Sequence, residues 1–507
     1  MKITLHILAL ALLASVLISL FSWCWMVLHQ FDIANPWTTL PKGLWQTFEH
    51  PNLRPIAWKA MALGFIPMGF ALYWIGDWSN DGDRVLRGTK LVTGKELTMR
   101  TRLKRRKDAA PLQVELAGVP MPLECEPSHT LMPGSTNTGK STAIDKLLAS
   151  AIARGDRAIV IDPNGHALAR FGKKGDVLLN PFDKRSPGWS LFNEIRKPYD
   201  YERLAKSVVP DSSDASSQTW HGYAQQLLAE TMRAMAQAGE NSTERLLYWL
   251  TIAPTTELAS LLAGSAASGL FEPGAEKALA STRFILSNHV GPYQHLRVGD
   301  FSLRNWLESS QGNLYITWRE DMLDSLRPLV SGWVDILMAS ILTLPTENPR
   351  PLWLVLDELA SLERLGSLEA ALTKGRKHGL RVVAGLQAVA QLDALYGRDN
   401  AKTLRSCFRN ILALGCSNAD PETAKAISDG LGQIEIERTQ TTYNQGQTGA
   451  TTSKSSQRTT ESLVLPSELT SLPPLHGYLK FAGDYPVAKI QLIPGNFPAR
   501  IKPFEER

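Results

Sequence analysis

The run Gly134-Ser135-Thr136-Asn137-Thr138-Gly139-Lys140-Ser141 fills the pattern G-x-x-x-x-G-K-[ST] completely. No other stretch restricts the possible folds so sharply. A loop of this kind wraps backbone N–H groups around phosphates, and it does so only between a strand and the helix it opens. The flanking residues fit that demand. His129-Thr130-Leu131-Met132 leads in, and Thr142 to Ala149 reads as an amphipathic helix. Ala158-Ile159-Val160-Ile161 then reads as a buried strand ending in Asp162-Pro163-Asn164-Gly165, and Val177-Leu178-Leu179 as a short one. Asp162 is expected on a strand beside the phosphate-loop strand, where it either caps the next turn or touches nucleotide.

The residue types specify the chemistry. Gly134 and Gly139 permit a close backbone wrap, while Ser135, Thr136, Asn137 and Thr138 fill the slots between them. Lys140 is expected to bridge the outer phosphates of ATP, and Ser141 to give one oxygen to Mg²⁺. A second motif follows far downstream. Leu352-Trp353-Leu354-Val355-Leu356 reads as a central parallel strand, which places Asp357 and Glu358 at its carboxyl end. Asp357 can hold a magnesium-bound water, and Glu358 can polarise the water that attacks the γ-phosphate. Taken alone, an acidic pair after a strand is ordinary surface chemistry; the phosphate loop upstream gives it meaning. A third segment, Lys374 to Arg381, precedes the apolar run Val382 to Leu386 and Gln387. Gln387 is expected at the phosphate edge as a γ-phosphate sensor. Arg376 is either a charge-stabilising finger for a neighbouring subunit or a solvated basic turn, and His378 is structural or exposed.

The chain begins with an apolar run. Ile3 to Leu28 carries no formal charge and is long enough to cross a bilayer as a helix, and Ile56 to Ile75 forms a second apolar stretch. A cleavable signal peptide is disfavoured by the length of the first run. Ten basic residues between Arg84 and Lys107 place both ends in the cytoplasm and a short loop, Gln30 to Pro55, outside. That basic segment can also grip anionic lipid or nucleic acid. The net charge of +5 over 507 residues is too mild to argue for nucleic acid by itself. Cys24, Cys125, Cys407 and Cys416 form no close metal-binding pair and read as free thiols. The layout expected is a transmembrane hairpin at 1–80, a first part of the nucleotide-binding domain at 81–189, an all-alpha insertion at 190–298, and a second part with a tail at 299–507. Helical runs are expected at Tyr223 to Ala236, Ser242 to Tyr248, Thr256 to Leu262, Gly274 to Leu286 and within Arg319 to Leu342. Ser212 to Thr219 reads as a mobile loop, Met121 to Cys125 as extended, and Thr439 to Glu461 as exposed or disordered.

With these motifs in this order, the chain resembles the conjugative coupling proteins of the TraD/TrwB family. The resemblance implies an α/β, RecA-like P-loop domain with an inserted all-alpha domain and an N-terminal transmembrane hairpin. It implies a multi-pass protein of the bacterial inner membrane, in contact with its lipids, assembling as a homohexamer. It further implies an ATPase, stimulated by DNA, that joins a relaxase–DNA complex to a type IV secretion channel and drives transfer of single-stranded DNA. Lys140, Ser141, Asp357 and Glu358 match the family's nucleotide residues, and Gln387 and Arg376 are carried over with them. Rival readings are an ATPase that moves or recruits protein at such an apparatus, a chromosome-segregation translocase, and a membrane scaffold that binds ATP without turnover. Glu358 speaks against the last, because binding alone needs no polarising carboxylate.

Overall fold

A computed structural model of the chain describes residues 2–31, 33, 36–75, 84–102, 113–309, 311–446 and 449–507. Lys104 to Lys107 of the basic segment lie outside them, as does Leu112, at the start of the run Leu112 to Leu116 whose sequence has strand character. The chain divides into two compact units, Met1–Leu86 with Ile436–Thr459, and Arg87–Glu435 with Thr460–Arg507.

In the first unit, helices Lys2–Gln30 and Arg54–Ile75 pack on one another through Trp23, Val27, Ile56, Ala57 and Ala60. They approach closely at small residues: a Cβ added to Gly64 would lie 2.7 Å from the Ser15 carbonyl oxygen. Among the described residues one helix is long and apolar enough to cross a membrane, Leu10–Gln30, with a mean hydropathy of 2.1. Gln433–Gly446 and Gly449–Ser462 are neighbouring long strands, so the tract Thr439 to Glu461, expected to be exposed or disordered, is extended β-structure at its described residues, with Ser455 to Arg458 exposed. Threonine explains the difference, since its branched Cβ favours extended backbone even when the composition is polar.

The second unit is built on a ten-stranded sheet. In chain order its strands are β1 (Leu91–Thr93), β2 (Thr130–Pro133), β3 (Arg157–Pro163), β4 (Val177–Leu179), β5 (Leu314–Trp318), β6 (Leu352–Leu356), β7 (Leu380–Leu386), β8 (Asn410–Leu414), β9 (His476–Lys480) and β10 (Val487–Gln491). Their spatial order is β1-β10-β9-β8-β2-β7-β6-β3-β5-β4. From β8 to β4 neighbouring strands run parallel, whereas β9 pairs antiparallel with both β8 and β10. The central strands alternate between two cores, as a period of two dictates. Leu352, Leu354 and Leu356 face one side with Ile159, Ile161, Val382 and Ala384. Trp353 and Val355 face the other with Ala158, Val160 and Val383. Full burial of each large apolar side chain contributes about 1.5–3 kcal/mol, which makes a strand this apolar stable only in the middle of a sheet.

Helix Lys140–Arg154 covers the second face with Ala143, Ile144, Leu147, Leu148 and Ala151, and it stops at Gly155 in the left-handed conformation. Helix Leu323–Ile341 lies on the first face, with every residue from Leu329 to Met338 buried. Against it packs a helical segment lying between β4 and β5. Its main helices are Asp200–Val208, Ala215–Gln237, Thr243–Leu247 (continuing as a π-helical turn, Tyr248–Ile252), Thr255–Leu261 and Glu276–Val290. Trp189 meets Trp333 edge-on at 5.8 Å where the two layers join.

Three expectations need correction here. Ser212 to Thr219 is not wholly a loop: Asp214 accepts the Ser217 N–H at 3.0 Å and so caps a helix beginning at Ala215. Met121 to Cys125 does not extend the strand Val119–Pro120, and residues 123–125 turn instead, as Pro122 favours. Asp162 ends β3, but β3 is not beside β2, because β7 and β6 stand between them.

Candidate active site

The phosphate loop is held in shape from both sides. It leaves β2 between β7 and β8, so the Gly134 N–H donates to the Leu386 carbonyl (2.9 Å) and the Ser135 N–H to that of Gly415 (2.8 Å). A Cβ at Gly134 would lie 2.8 Å from Leu414 Cβ, so only glycine fits. Thr138 Oγ1 donates to the Ser135 carbonyl at 2.8 Å and closes the loop on itself. Asn137 and Gly139 both adopt positive φ, +59° and +114°, which asparagine and glycine tolerate best. Asn137 thus has a backbone duty that a variable slot does not announce. Behind the loop, the Leu475 N–H donates to the Thr138 carbonyl at 3.0 Å. Leu475 and Leu492 also leave no room for a Cβ at Gly139. The helix starting at Lys140 aims its free amides at the same space, while Thr136, Asn137 and Ser141 face solvent.

The acidic pair meets this loop. Lys140 Nζ donates to the Gly134 carbonyl at 2.6 Å and stands 3.7 Å from Glu358 Oε2, both side chains being mostly buried. Ser141 Oγ lies 3.4 Å from Asp357 Oδ2, while the buried Asp357 Oδ1 has no hydrogen-bond partner. A hydroxyl beside an under-partnered carboxylate suits a hard divalent cation such as Mg²⁺, which takes oxygen ligands and shares them with phosphate. Among the described residues no cluster of three or more His, Cys, Asp or Glu side chains forms an all-protein metal cage. Burial raises the pKa of both Asp357 and Glu358, against the pull of the Lys140 ammonium. Burial also lowers Lys140, which the two carboxylates oppose. Gln387 and the Ala360 backbone amide help to lower Glu358. Lys140, Ser141, Asp357, Glu358 and Gln387 therefore share one edge of the sheet. The wedge strand β7 makes this possible, and Gly385 is needed in it because any Cβ there would strike the Asp357 carbonyl.

Three named residues stand elsewhere. Arg376 is exposed in the short turn Gly375–His378, at the opposite end of β7 from Gln387. Seven strand residues, about 20 Å, separate it from its own chain's phosphate loop. His378 is buried, with Nδ1 2.6 Å from the Leu344 carbonyl, and is structural. Asp162 accepts the Ala167 and Leu168 N–H groups at 3.0 and 2.7 Å, and burial pushes it up to about 7. Its geometry is that of a helix cap.

A parallel sheet with a phosphate loop on one strand and an acidic pair at the end of another defines a P-loop nucleotide-binding protein of the RecA-like class. Residues 113–493 match the family described as Type IV secretion-system coupling protein DNA-binding domain, and the chain belongs to that family. The coupling protein TraD of Escherichia coli K12 is 28% identical over 408 residues, covering 76% of this chain and 55% of TraD. The conjugal transfer protein TraG of Rhizobium radiobacter is 32% identical over 146 residues, 29% of this chain and 21% of TraG. The chain thus spans about half the length of TraD and less of TraG. Among solved structures, the unbound bacterial conjugative coupling protein TrwBdeltaN70 is 46% identical with a TM-score of 0.78, over 84% of this chain and 96% of that one. The plasmid coupling protein TrwB in complex with ADP and Mg²⁺ is likewise 46% identical, with a TM-score of 0.77 over 84% and 98% of the two chains.

Proposed function

We propose that this chain is a membrane-anchored ATPase that couples a relaxase–DNA complex to a type IV secretion channel and drives single-stranded DNA through it. The observation that carries the reading is the meeting of Lys140, Ser141, Asp357 and Glu358 at one sheet edge, in a chain of the coupling-protein family. The backbone of Gly134 to Gly139 and the Lys140 ammonium hold the phosphates. Ser141 and Asp357 would hold Mg²⁺, which would supply positive charge against the phosphates. Arriving phosphate competes with Glu358 for Lys140, and the carboxylate freed in this way accepts a proton from the attacking water. Its raised pKa makes it the better base. Gln387, beside Glu358, reports whether the γ-phosphate is present. Structures of TrwB with ADP and Mg²⁺ and with an ATP analogue support nucleotide as the ligand.

In the same reading the helical segment, residues 190–298, is the all-alpha domain, and the helices within 1–80 form a hairpin in the inner membrane. Copies of the chain assemble as a hexamer in which Arg376, far from its own phosphate loop, reaches that of a neighbour. The test is ATP hydrolysis by the full-length chain with and without single-stranded DNA, beside Glu358→Gln. Hydrolysis stimulated by DNA and lowered about 100-fold or more in the variant, with nucleotide still bound, is the expected result. Hydrolysis indifferent to DNA would move the reading to a protein-secretion ATPase.

A further inference from the structure

The loop that leaves Glu358 is fastened by side chains from distant parts of the chain. Between Leu359 and Ser367 three backbone N–H groups donate to them. Glu363 donates to Ser331 Oγ at 2.9 Å, Leu365 to Tyr396 Oη at 3.1 Å, and Ser367 to Asp335 Oδ1 at 2.6 Å. Ser331 and Asp335 lie one turn apart on helix Leu323–Ile341 and so share a face. Asp335 Oδ2 accepts two more hydrogens, from Ser367 Oγ at 3.0 Å and from Ser207 Oγ at 2.6 Å. Ser207 belongs to helix Asp200–Val208, the first long helix of the helical segment. One carboxylate, 3% exposed, therefore holds both the end of the Glu358 loop and that helix.

Apolar packing could join these elements without the desolvation cost of a buried carboxylate. A carboxylate with three short donors instead fixes direction and spacing, and losing one donor leaves a buried acceptor wanting. The same loop reaches the helical segment twice more. Glu363 Oε2 lies 3.3 Å from His289 Nδ1, and Arg364 Nη1 donates to the Asp211 carbonyl at 3.5 Å. At the loop's other end, the Ser361 hydroxyl donates to the Glu358 carbonyl at 2.8 Å.

We propose that Asp335 is a positioning residue. Through Ser367 and Ser207 it ties the loop carrying Glu358 to helix Asp200–Val208, so that displacement of the helical segment by a transported strand is felt at the hydrolytic edge. This rests on the reading of Glu358 as the hydrolytic carboxylate and of DNA as the strand moved. The decisive variants are Ser207→Ala, which cuts only the helical side, Ser367→Ala, which removes the longer of the two hydrogen bonds on the loop side and leaves the backbone one, and Ser207→Thr, which keeps a hydroxyl. Asp335→Ala is avoided because it empties a buried site and endangers folding.

Two readouts are made on the full-length chain. The first is hydrolysis with and without single-stranded DNA. Ser207→Ala should lower the melting temperature slightly, by the loss of one donor to a buried carboxylate, and retain ADP affinity and basal hydrolysis, yet lose about fivefold of the DNA stimulation, with Ser207→Thr restoring it. The second needs no DNA. ADP with Mg²⁺ should slow amide exchange in Leu359–Ser367 and in Asp200–Val208 of the native chain, but only in the former in Ser207→Ala. Unchanged stimulation in Ser207→Ala, or a loss matched by basal activity, overturns the link. So does an Asp200–Val208 helix in the native chain that ignores nucleotide. A native chain without DNA stimulation would overturn the transport reading instead, and amide exchange would still decide the link.

Discussion

Two buried carboxylate sites in this molecule are built to opposite rules. Glu194, at the root of the helical segment, is fully buried and saturated. Its Oε1 accepts from Trp189 Nε1 (2.8 Å) and the Leu303 N–H (2.7 Å), and its Oε2 from the Arg304 N–H (3.1 Å) and Ser302 Oγ (3.2 Å). Asp357, at the phosphate edge, is also largely buried, but one oxygen is unpartnered and the other has only a long contact with Ser141. A buried acid whose hydrogen bonds are all made inside the protein serves the fold. One left short by its own chain is organised for something that comes from outside. Between these two carboxylates the contrast separates structure from function without reference to any motif.

The contrast can be broken by measurement, and the largest effect on stability belongs to the saturated site. Glu194→Ala should cost about 3–5 kcal/mol of unfolding free energy, because it strands four donors, and it should leave nucleotide affinity in the surviving folded protein unchanged. Denaturant titration checks this, and a loss below about 1 kcal/mol would show that the donors find other partners. Acid should come next. His129, buried under the phosphate-loop strand, accepts the Val382 N–H at Nδ1 (3.0 Å) and lies 2.9 Å from the Leu372 carbonyl at Nε2, which fits the neutral ring. Burial lowers its pKa to about 4. The unfolded chain takes up the proton first, so this contribution is whole above about pH 6.5 and is lost as pH falls through 4, about 3 kcal/mol in all. A His129→Gln protein whose melting temperature falls as steeply over that window would refute the assignment.

Smaller effects sharpen the comparison. Asp214→Ala should speed amide exchange at Ser217 and the first turn of helix Ala215–Gln237 while ADP affinity stays the same. Smallest in stability is Asp357→Asn, which removes a charge that burial already disfavours. The melting temperature should hold or rise slightly, while affinity for nucleotide with Mg²⁺ falls roughly 10–100-fold. A strongly destabilised Asp357→Asn would place this carboxylate with Glu194, among the residues that serve the fold.

How much of this could be read from the chain depended on how local the chemistry is. Gly134, Lys140 and Ser141 are legible because phosphate demands those types at fixed spacing, and Asp357 and Glu358 because they follow five apolar residues in a row. Gln387 could be placed for a similar reason, at the end of an apolar run. Strand order was not legible. Parallel strands with crossovers carry no neighbour information, so β7 entering between β2 and β6, and Asp162 standing two strands further away, had no sequence signal. The antiparallel pair β9 and β10 hid in short segments interrupted by proline and glycine. Asp335, Ser207 and Ser367 escaped because their partners lie 128 and 32 residues away and are of types that occur everywhere.

The back wall of the phosphate loop has a consequence for how the protein is made. Leu475 and Leu492 close on Thr138 and Gly139 from behind, so the loop at residues 134–141 lacks its support until the ribosome has added Leu492. At about 5–20 residues per second that interval is on the order of tens of seconds. During it the growing chain has the residues of a nucleotide site without its finished frame, and ATP in the surrounding cytoplasm gives little help to its folding. Nucleotide meets a finished frame only once β9 and β10, the last two strands of the sheet in chain order, are in place.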